Sequence, residues 1–399
     1  MTTELGFLHI PKLKLEKISF ENDINTRLYL QYYGLIKNNK IGKQTLLRLE
    51  QDNRVKELQG KMISQGQSAH QFNTENLAMW FLWAHNEFGE VIANNSLNAF
   101  LDDQLIGIMN SLWVIGIEVD ESIQLSNGIR IIPAKEMPLS REQEHYLKHD
   151  SHILSSRIVK PQVAISKIVK VPKIGDSNFM IQDSKIQESY KSINDVCLIL
   201  NAMKDIYCMP YFSTSYSLSQ TPFGPFAGSS GSYPWYDITG SHSKKLSIDE
   251  VENLELLIKS YAKKSDTEKS KFSMLLSRVS QAKRRNEIKD KILDLCIALE
   301  MALLGDTKEQ LKLTFSLRGS NLISTNNEEN FSIFKALKDL YDYRSAVAHT
   351  GSLGKYEKKA RHNYSRYQAI AERIIIKLIC EDQLRKSQDW EKLILGIKG

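Results

Sequence analysis

The stretch from Ser213 to Ser243, "STSYSLSQTPFGPFAGSSGSYPWYDITGSHS", constrains this chain more than any other. It is dense in Ser, Gly, Pro and aromatic residues; proline removes a backbone donor and glycine raises the entropy of the free chain, so no helix propagates through it. Periodicity differs on its two sides, which places a domain boundary here. A length of 399 residues agrees with two or three domains. The stretch itself reads either as a connection with some local pairing or as an aromatic recognition loop. No internal repeat is visible.

Before the boundary, residues 24 to 110 look mainly helical. "NTENLAMWFLWAHNEFGEVIANN" carries apolar residues at helical spacing, and Asn73 with Thr74 supplies a start signal. The pattern then changes. "SLWVIGIEVDESIQLSNGIRIIP" alternates as a strand does, with Ser126-Asn127-Gly128 as a hairpin turn between two apolar runs. "SRIVKPQVAISKIVKVPKI" continues the strand pattern, and Pro161 and Pro172 put its strands at an edge or at strand ends.

After residue 247 the chain reads as helix: "IDEVENLELLIKSYAKK", "EKSKFSMLLSRVSQA", "EIKDKILDLCIALEMALLG", "ENFSIFKALKDLYDYRSAVAHT" and "YSRYQAIAERIIIKLICEDQL". Asp249 and Asn286 stand near helix starts, Gly305 and Gly351 just past helix ends. The expected fold class is α+β. A mixed α/β region over 1–240, helical over 1–110 and β-rich over 111–240 in its finer division, precedes an up-and-down helical bundle over 245–399.

The opening residues lack a basic segment followed by an apolar one, and about 18 uninterrupted apolar residues occur nowhere. Secretion and membrane spanning are therefore not expected, and the expected location is the cytoplasm. Cys197, Cys208, Cys296 and Cys380 are widely spaced and read as reduced thiols. Charge is uneven: 30 basic against 22 acidic residues from position 244 onward, 23 against 25 before it. A polyanionic partner for the C-terminal part would explain this, as would a solvated lysine-rich surface.

Two charges in the helical part are misplaced for a simple amphipathic pattern. From Ile292 to Leu304 every side chain is apolar except Asp294 and Glu300, and Glu300 has Cys296 and Leu303 as helical neighbours. Leu337, Leu340, Arg344 and Val347 follow the 3-4-3 rhythm of a packing stripe. Unpaired, each charge would cost several kcal/mol in apolar surroundings, so Arg344 and Glu300 are expected to meet, either as a register-fixing ion pair or in a polar cleft. His349 lies about 140° around the helix from Arg344. It shares a stripe with Ser345 and Asp342, which could orient its imidazole, and the helix end before Gly351 suits a titrating histidine.

The order "CIALEMALLGD", "LTFSLRGSNLIS", "LYDYRSAVAHTG" resembles the ApeA-like branch of the HEPN superfamily, over roughly residues 248 to 385. The resemblance implies a helical HEPN-like domain with an Arg-x4-His motif. Arg344 and His349 would be catalytic, Ser345 auxiliary in place of the more usual Asn, Asp or His, and Glu300 supporting. The implied activity is a metal-independent endoribonuclease that takes no cofactor and acts as a homodimer in anti-phage defence or as a toxin. A phage-derived trigger or a neutralising partner is also implied. Some members are non-catalytic modules that bind RNA or a protein, which is the alternative.

Between 350 and 377 lie Lys355, Lys358, Lys359, Arg361, Arg366, Arg373 and Lys377, interleaved with Tyr356, Tyr364 and Tyr367. This mixture suits RNA phosphates and unstacked bases, with Lys355, Lys358, Lys359, Arg361, Arg366 and Tyr356 as the candidate contacts. It equally suits a solvated helix with its tyrosines packed inside. His145, His149 and His152 could hold a zinc-class ion with Asp150 or Glu142, although an exposed polar segment is the simpler account and no metal is expected. No phosphate-binding glycine loop, nucleophile elbow or His-Glu-x-x-His run occurs.

Overall fold

Asn39, Asp52 and Asn73 each turn a side-chain oxygen onto the backbone N–H two residues ahead, at 2.7 to 2.8 Å, and each starts a helix. In this computed structural model the described residues are 8, 10, 11, 24–65, 68–138, 161–175, 184–218, 221, 222, 228–232, 243–305, 307, 309–381 and 385–397. They form an α+β protein with a sheet in the N-terminal region and helices in the C-terminal one. The chain divides into two compact units, one of Met1–Ile115, Val119–Asn194 and Pro210–Pro234, the other of Gly116–Glu118, Asp195–Met209 and Trp235–Gly399.

In the first unit α1 (Ile24–Asn38), α2 (Lys40–Gln51), α3 (Asn53–Leu58), the hairpin β1 (Met62–Gln65) and β2 (Ser68–Gln71), α4 (Thr74–Phe88) and α5 (Glu90–Asp102) follow in order. Leu77 to Ala84 of α4 are all buried, so this helix is the centre of its layer. Next along the chain come β3 (Leu105–Ile115), β4 (Ile117–Glu118), β5 (Ile123–Gln124), β6 (Ile129–Pro133), β7 (Val163–Pro172), α6 (Ser184–Ala202), β8 (Met209–Ser217) and β9 (Gly228–Ser232), of which β4 and the end of α6 from Asp195 belong to the second unit. The six-stranded sheet has the order β5-β6-β7-β3-β8-β9. Ile106 and Ile108 of β3 join the core under α4 and α5, whereas Met109 and Trp113 join a second core with Phe212. Alternation along one strand thus serves both faces.

The expected turn at Ser126-Asn127-Gly128 closes β5 against β6, with Gly128 at φ +77. Pro172 ends β7 rather than interrupting it. Other expectations need correction. The β1–β2 hairpin falls within the stretch read as mainly helical, β3 begins before residue 111, and helix α6 stands inside the stretch read as β-rich. The Ser/Gly/Pro-rich segment also begins in strand β8 and includes β9, so its described residues are partly sheet.

The second unit takes in residues 116–118 and 195–209, both read from sequence as N-terminal. There β4 pairs in parallel with β10 (Lys244–Lys245), and Gly116 is held at φ +91 where a Cβ would meet the Tyr207 carbonyl oxygen at 2.2 Å. The helices are α7 (Ile248–Ala262), α8 (Asp266–Arg284), α9 (Ile288–Leu303), α10 (Leu311–Ile323), α11 (Asn327–Thr350), α12 (Glu357–Cys380) and α13 (Ser387–Ile394). Ser247 and Ser265 make reciprocal caps with Glu250 and Glu268, so Asp249 lies in the first turn of α7 rather than at its cap. Helix α9 packs against α8, α10, α11 and α12.

Lys283 of α8 and Glu372 of α12 meet at 2.8 Å with side chains 1% and 3% exposed. The ammonium also donates to the carbonyls of Met203 at 3.1 Å and Ile206 at 2.9 Å, and Gln368 donates to the carboxylate. Burial pushes Lys283 down and Glu372 up, each opposed by the other's charge. Glu372→Leu leaves the ammonium charge without a counterion and is expected to cost about 3 kcal/mol. Lys283→Met strands the two carbonyls as well, and the double variant Lys283→Met, Glu372→Leu should melt above Lys283→Met alone. Thermal unfolding followed by circular dichroism checks the order; identical melting of all three would remove the pair from the stability account.

Candidate active site

Arg344 sits on the stripe of α11 whose other members, Leu337, Leu340 and Val347, are buried. Only a long side chain can leave such a stripe for the rim, and the guanidinium is 31% exposed. From α9, Cys296, Leu299 and Leu303 are buried and Glu300 emerges beside them. Arg344 Nη2 donates to Glu300 Oε2 at 3.2 Å, the pairing expected from sequence. Arg344 Nε is buried and has no partner among the described residues. One of five guanidinium donors is therefore engaged and Nε is buried, so the remaining Nη hydrogens are the ones left to take an anion.

The surroundings are of low polarity. Burial pushes the Glu300 carboxyl above its ordinary range, and the Arg344 charge only partly opposes this. The Cys296 thiol is pushed well up by burial and by Glu300. Tyr341 is raised by the same two causes, again with Arg344 in opposition. Arg344 is thus the cation that keeps this corner of the fold electrically acceptable.

His349 is exposed in the last turn of α11, which Gly351 ends at φ +71 by donating its N–H to Val347 O at 2.8 Å. It lies five positions beyond Arg344, about 140° around and about 7.5 Å along one helix. The proposed helpers do not reach it. Both Asp342 oxygens accept from Lys312 Nζ of α10, at 2.5 and 2.6 Å. Ser345 is half-buried, and among the described residues no hydrogen bond links it to His349.

Three of the seven cations of the basic stretch are ion-paired. Lys359 pairs with Asp339 at 3.0 Å, Arg361 with Glu357 at 3.1 Å and Arg373 with Glu329 at 2.8 Å. Arg366 donates to the carbonyl and hydroxyl of Ser332. Lys355 lies over the Tyr356 ring, while exposed Lys358 has no ion pair among the described residues. The tyrosines pack inward: Tyr356 lies 5.3 Å from Tyr343, Tyr367 is buried and Tyr364 donates to Ala282 O. As stacking platforms Tyr364 and Tyr367 are unavailable.

His145, His149, His152, Asp150 and Glu142 lie outside the described residues. Among the described residues no group of three or more His, Cys, Asp or Glu side chains is placed to hold a metal ion. No helix among them is long and apolar enough to cross a membrane. Neither a family model, nor a curated protein, nor a solved structure matches the chain. Sequence reasoning missed Lys312 as the partner of Asp342, because the helix α10 that carries it is not among the segments read as helix.

Arg344→Ala leaves Glu300 half-buried without its cation. Because the pair is part-exposed, the expected cost is about 1 kcal/mol, and His349→Ala should stay within about 0.5 kcal/mol of the parent. The pH dependence carries a sign. Glu300 binds its proton more tightly folded than unfolded, so its contribution is full below its ordinary value of 4.5 and is lost as pH rises through the folded value. Arg344→Ala should deepen that loss and Glu300→Gln should abolish it, as read from melting temperatures between pH 4 and 7. Parallel curves for all three proteins would contradict the pairing energetics.

Proposed function

We propose that the C-terminal unit is a HEPN-type endoribonuclease that cleaves RNA without a metal ion. One observation carries the reading: the Arg344 side chain, 31% exposed, is held among the described residues by a single contact to Glu300, and the exposed imidazole of His349 follows at the end of the same helix. Among the described residues the neighbouring carboxylates are engaged, Glu300 by Arg344 and Asp342 by Lys312, which leaves no set there for a two-metal site. RNA brings its own nucleophile. The 2′-oxygen attacks the adjacent phosphorus and the bond to the 5′-oxygen breaks. His349 moves the proton off the 2′-hydroxyl or onto the leaving oxygen, and Arg344 neutralises charge on the phosphoryl oxygens. Ser345 is an auxiliary donor, Glu300 a positioning residue.

A second copy of the chain is part of the proposal, because the azimuths of Arg344 and His349 differ within one helix and a twofold contact can supply the missing partner. The resemblance extends the reading to a cytoplasmic defence or toxin effector. The alternative, a non-catalytic module that binds RNA or a protein, is favoured by one feature: among the described residues no side chain holds the His349 imidazole.

Purified protein incubated with total RNA in EDTA should produce fragments with 2′,3′-cyclic phosphate or 3′-phosphate ends and 5′-hydroxyl ends. Those 5′ ends should accept label from polynucleotide kinase without prior phosphatase treatment. His349→Ala should lower the rate at least about 100-fold, and 2′-O-methylation at the cleaved nucleotide should block the cut. Cleavage of the methylated RNA, or activity only with added metal, would move the chemistry away from Arg344 and His349. Intact RNA under every condition would favour the binding module.

A further inference from the structure

One face of α11 has no part in the Arg344–Glu300 pair. At 100° per residue, Phe331, Lys335, Lys338, Asp342, Ser345 and His349 fall within about 40° of a single line, which runs about 27 Å along the helix. Phe331 is 58% exposed, unusual for so large an apolar side chain, and Lys335, Lys338 and His349 are exposed as well. Lys335 Nζ stands 4.1 Å over the Phe331 ring and Lys338 Nζ 5.6 Å from the ring of Phe334. Neither lysine has an ion pair among the described residues. Asp342 is neutralised by Lys312. Of the neighbouring acids, Glu329 is held by Arg373 and Asp339 by Lys359, which leaves Glu328 in the first turn of the helix. From Phe331 to His349 the line reads aromatic, cation, cation, neutralised acid, hydroxyl, imidazole.

We infer that this stripe is the track along which single-stranded RNA reaches His349. The inference rests on the ribonuclease reading for its end point and departs from the sequence expectation, which put RNA on the following helix. Lys335 and Lys338 meet successive phosphates. The open side of the Phe331 ring stacks a base, as aromatic platforms do for unpaired strands. A second copy of the chain seated along this stripe is the competing occupant, and charge argues against that seat, so the twofold contact proposed above lies off the stripe. Antiparallel packing about a twofold at position 340 would set Lys338 against an Asp342 already held by Lys312, and would gather Lys312, Lys335 and Lys338 from both copies in one contact. Six like charges with two carboxylates between them suit a polyanion better than a copy of themselves.

The test uses the full chain and a fluorescein-labelled, fully 2′-O-methylated 12-nucleotide RNA of mixed sequence, which binds without being cut, followed by anisotropy over a range of salt. Lys335→Glu with Lys338→Glu should weaken binding at least about tenfold and reduce the salt slope by about 1.4, or about 0.7 for each lost cation. Phe331→Ala should weaken it about tenfold. Lys271→Glu with Lys289→Glu, the same charge change on other exposed positions, should have less than a third of that effect on a fold scale. Equal affinities for the stripe variant and this control would overturn the inference, as would a stripe variant that changes sedimentation from dimer to monomer while RNA affinity holds. Cleavage of unmodified RNA is measured in parallel. A parent that binds but does not cut defeats the nuclease reading and leaves the track; one that cuts with the KM of the stripe variant unchanged defeats the track and leaves the nuclease. A parent that neither binds nor cuts defeats both.

Discussion

The buried ammonium of Lys283 is the point from which the C-terminal unit is set. Its three donors are met by Glu372 and the carbonyls of Met203 and Ile206, so a charge that would be costly in apolar surroundings is fully satisfied. That contact fixes the last turn of α8 against α12 and ties residues 203–206 to both. The same end of α8 then orients α9, because Arg278 Nη1 and Arg285 Nε both donate to the buried carboxylate of Asp294 at 2.9 Å. Six residues further along α9 stands Glu300. Its place opposite Arg344 follows from how α9 has been seated.

Asp294 and Glu300 of α9 illustrate how partner number decides what a buried charge can do. Asp294 is gripped by two guanidinium groups, one on each oxygen, and has nothing left to offer. Glu300 receives one contact, at 3.2 Å, from a guanidinium that keeps most of its donors. An Arg in the first situation is structural. An Arg in the second is held in direction by one bond and still presents a cation, which is the condition for meeting a phosphate. Lysine would not serve equally at position 344, since a single point charge bound to Glu300 leaves no planar fork for a second anion.

Legibility in the sequence followed the range of the interaction. Asn73 and the turn at Asn127-Gly128 were readable because a cap and a hairpin involve neighbours, and the Leu337, Leu340, Val347 stripe because it is periodic. Arg344 and Glu300 could be paired from far apart in sequence because each interrupted an apolar pattern. Lys283 and Glu372 interrupt nothing; in sequence they look like ordinary surface charges, and only the packed helices show them 1% and 3% exposed. Helix α10 escaped for a related reason. Ser316, Gly319 and Ser320 face close neighbours, and a Cβ on Gly319 would lie 2.5 Å from Leu337 Cδ1, so small residues stand where an apolar rhythm would have announced a helix. The engagement of the basic stretch could not be read from it alone, because Asp339 and Glu329, which pair with Lys359 and Arg373, and Ser332, which accepts from Arg366, belong to a different helix.

Within the ribonuclease reading the contrast between Arg344 and His349 has a physical logic. A guanidinium never releases its proton, so partial burial against a counterion does not change its state and only sharpens its direction. An imidazole that moves protons must exchange them with substrate and water, and placement at an exposed helix end keeps both within reach. Gly351 permits that placement: its left-handed backbone ends α11 two residues past His349 and turns the following chain away. A longer helix would have carried position 349 into its interior, with His349 no longer at the terminal carbonyls that favour a cation. Among the described residues no side chain holds the imidazole, and within the same reading its orientation would be set by what binds there, with Lys335, Lys338 and Phe331 on its line.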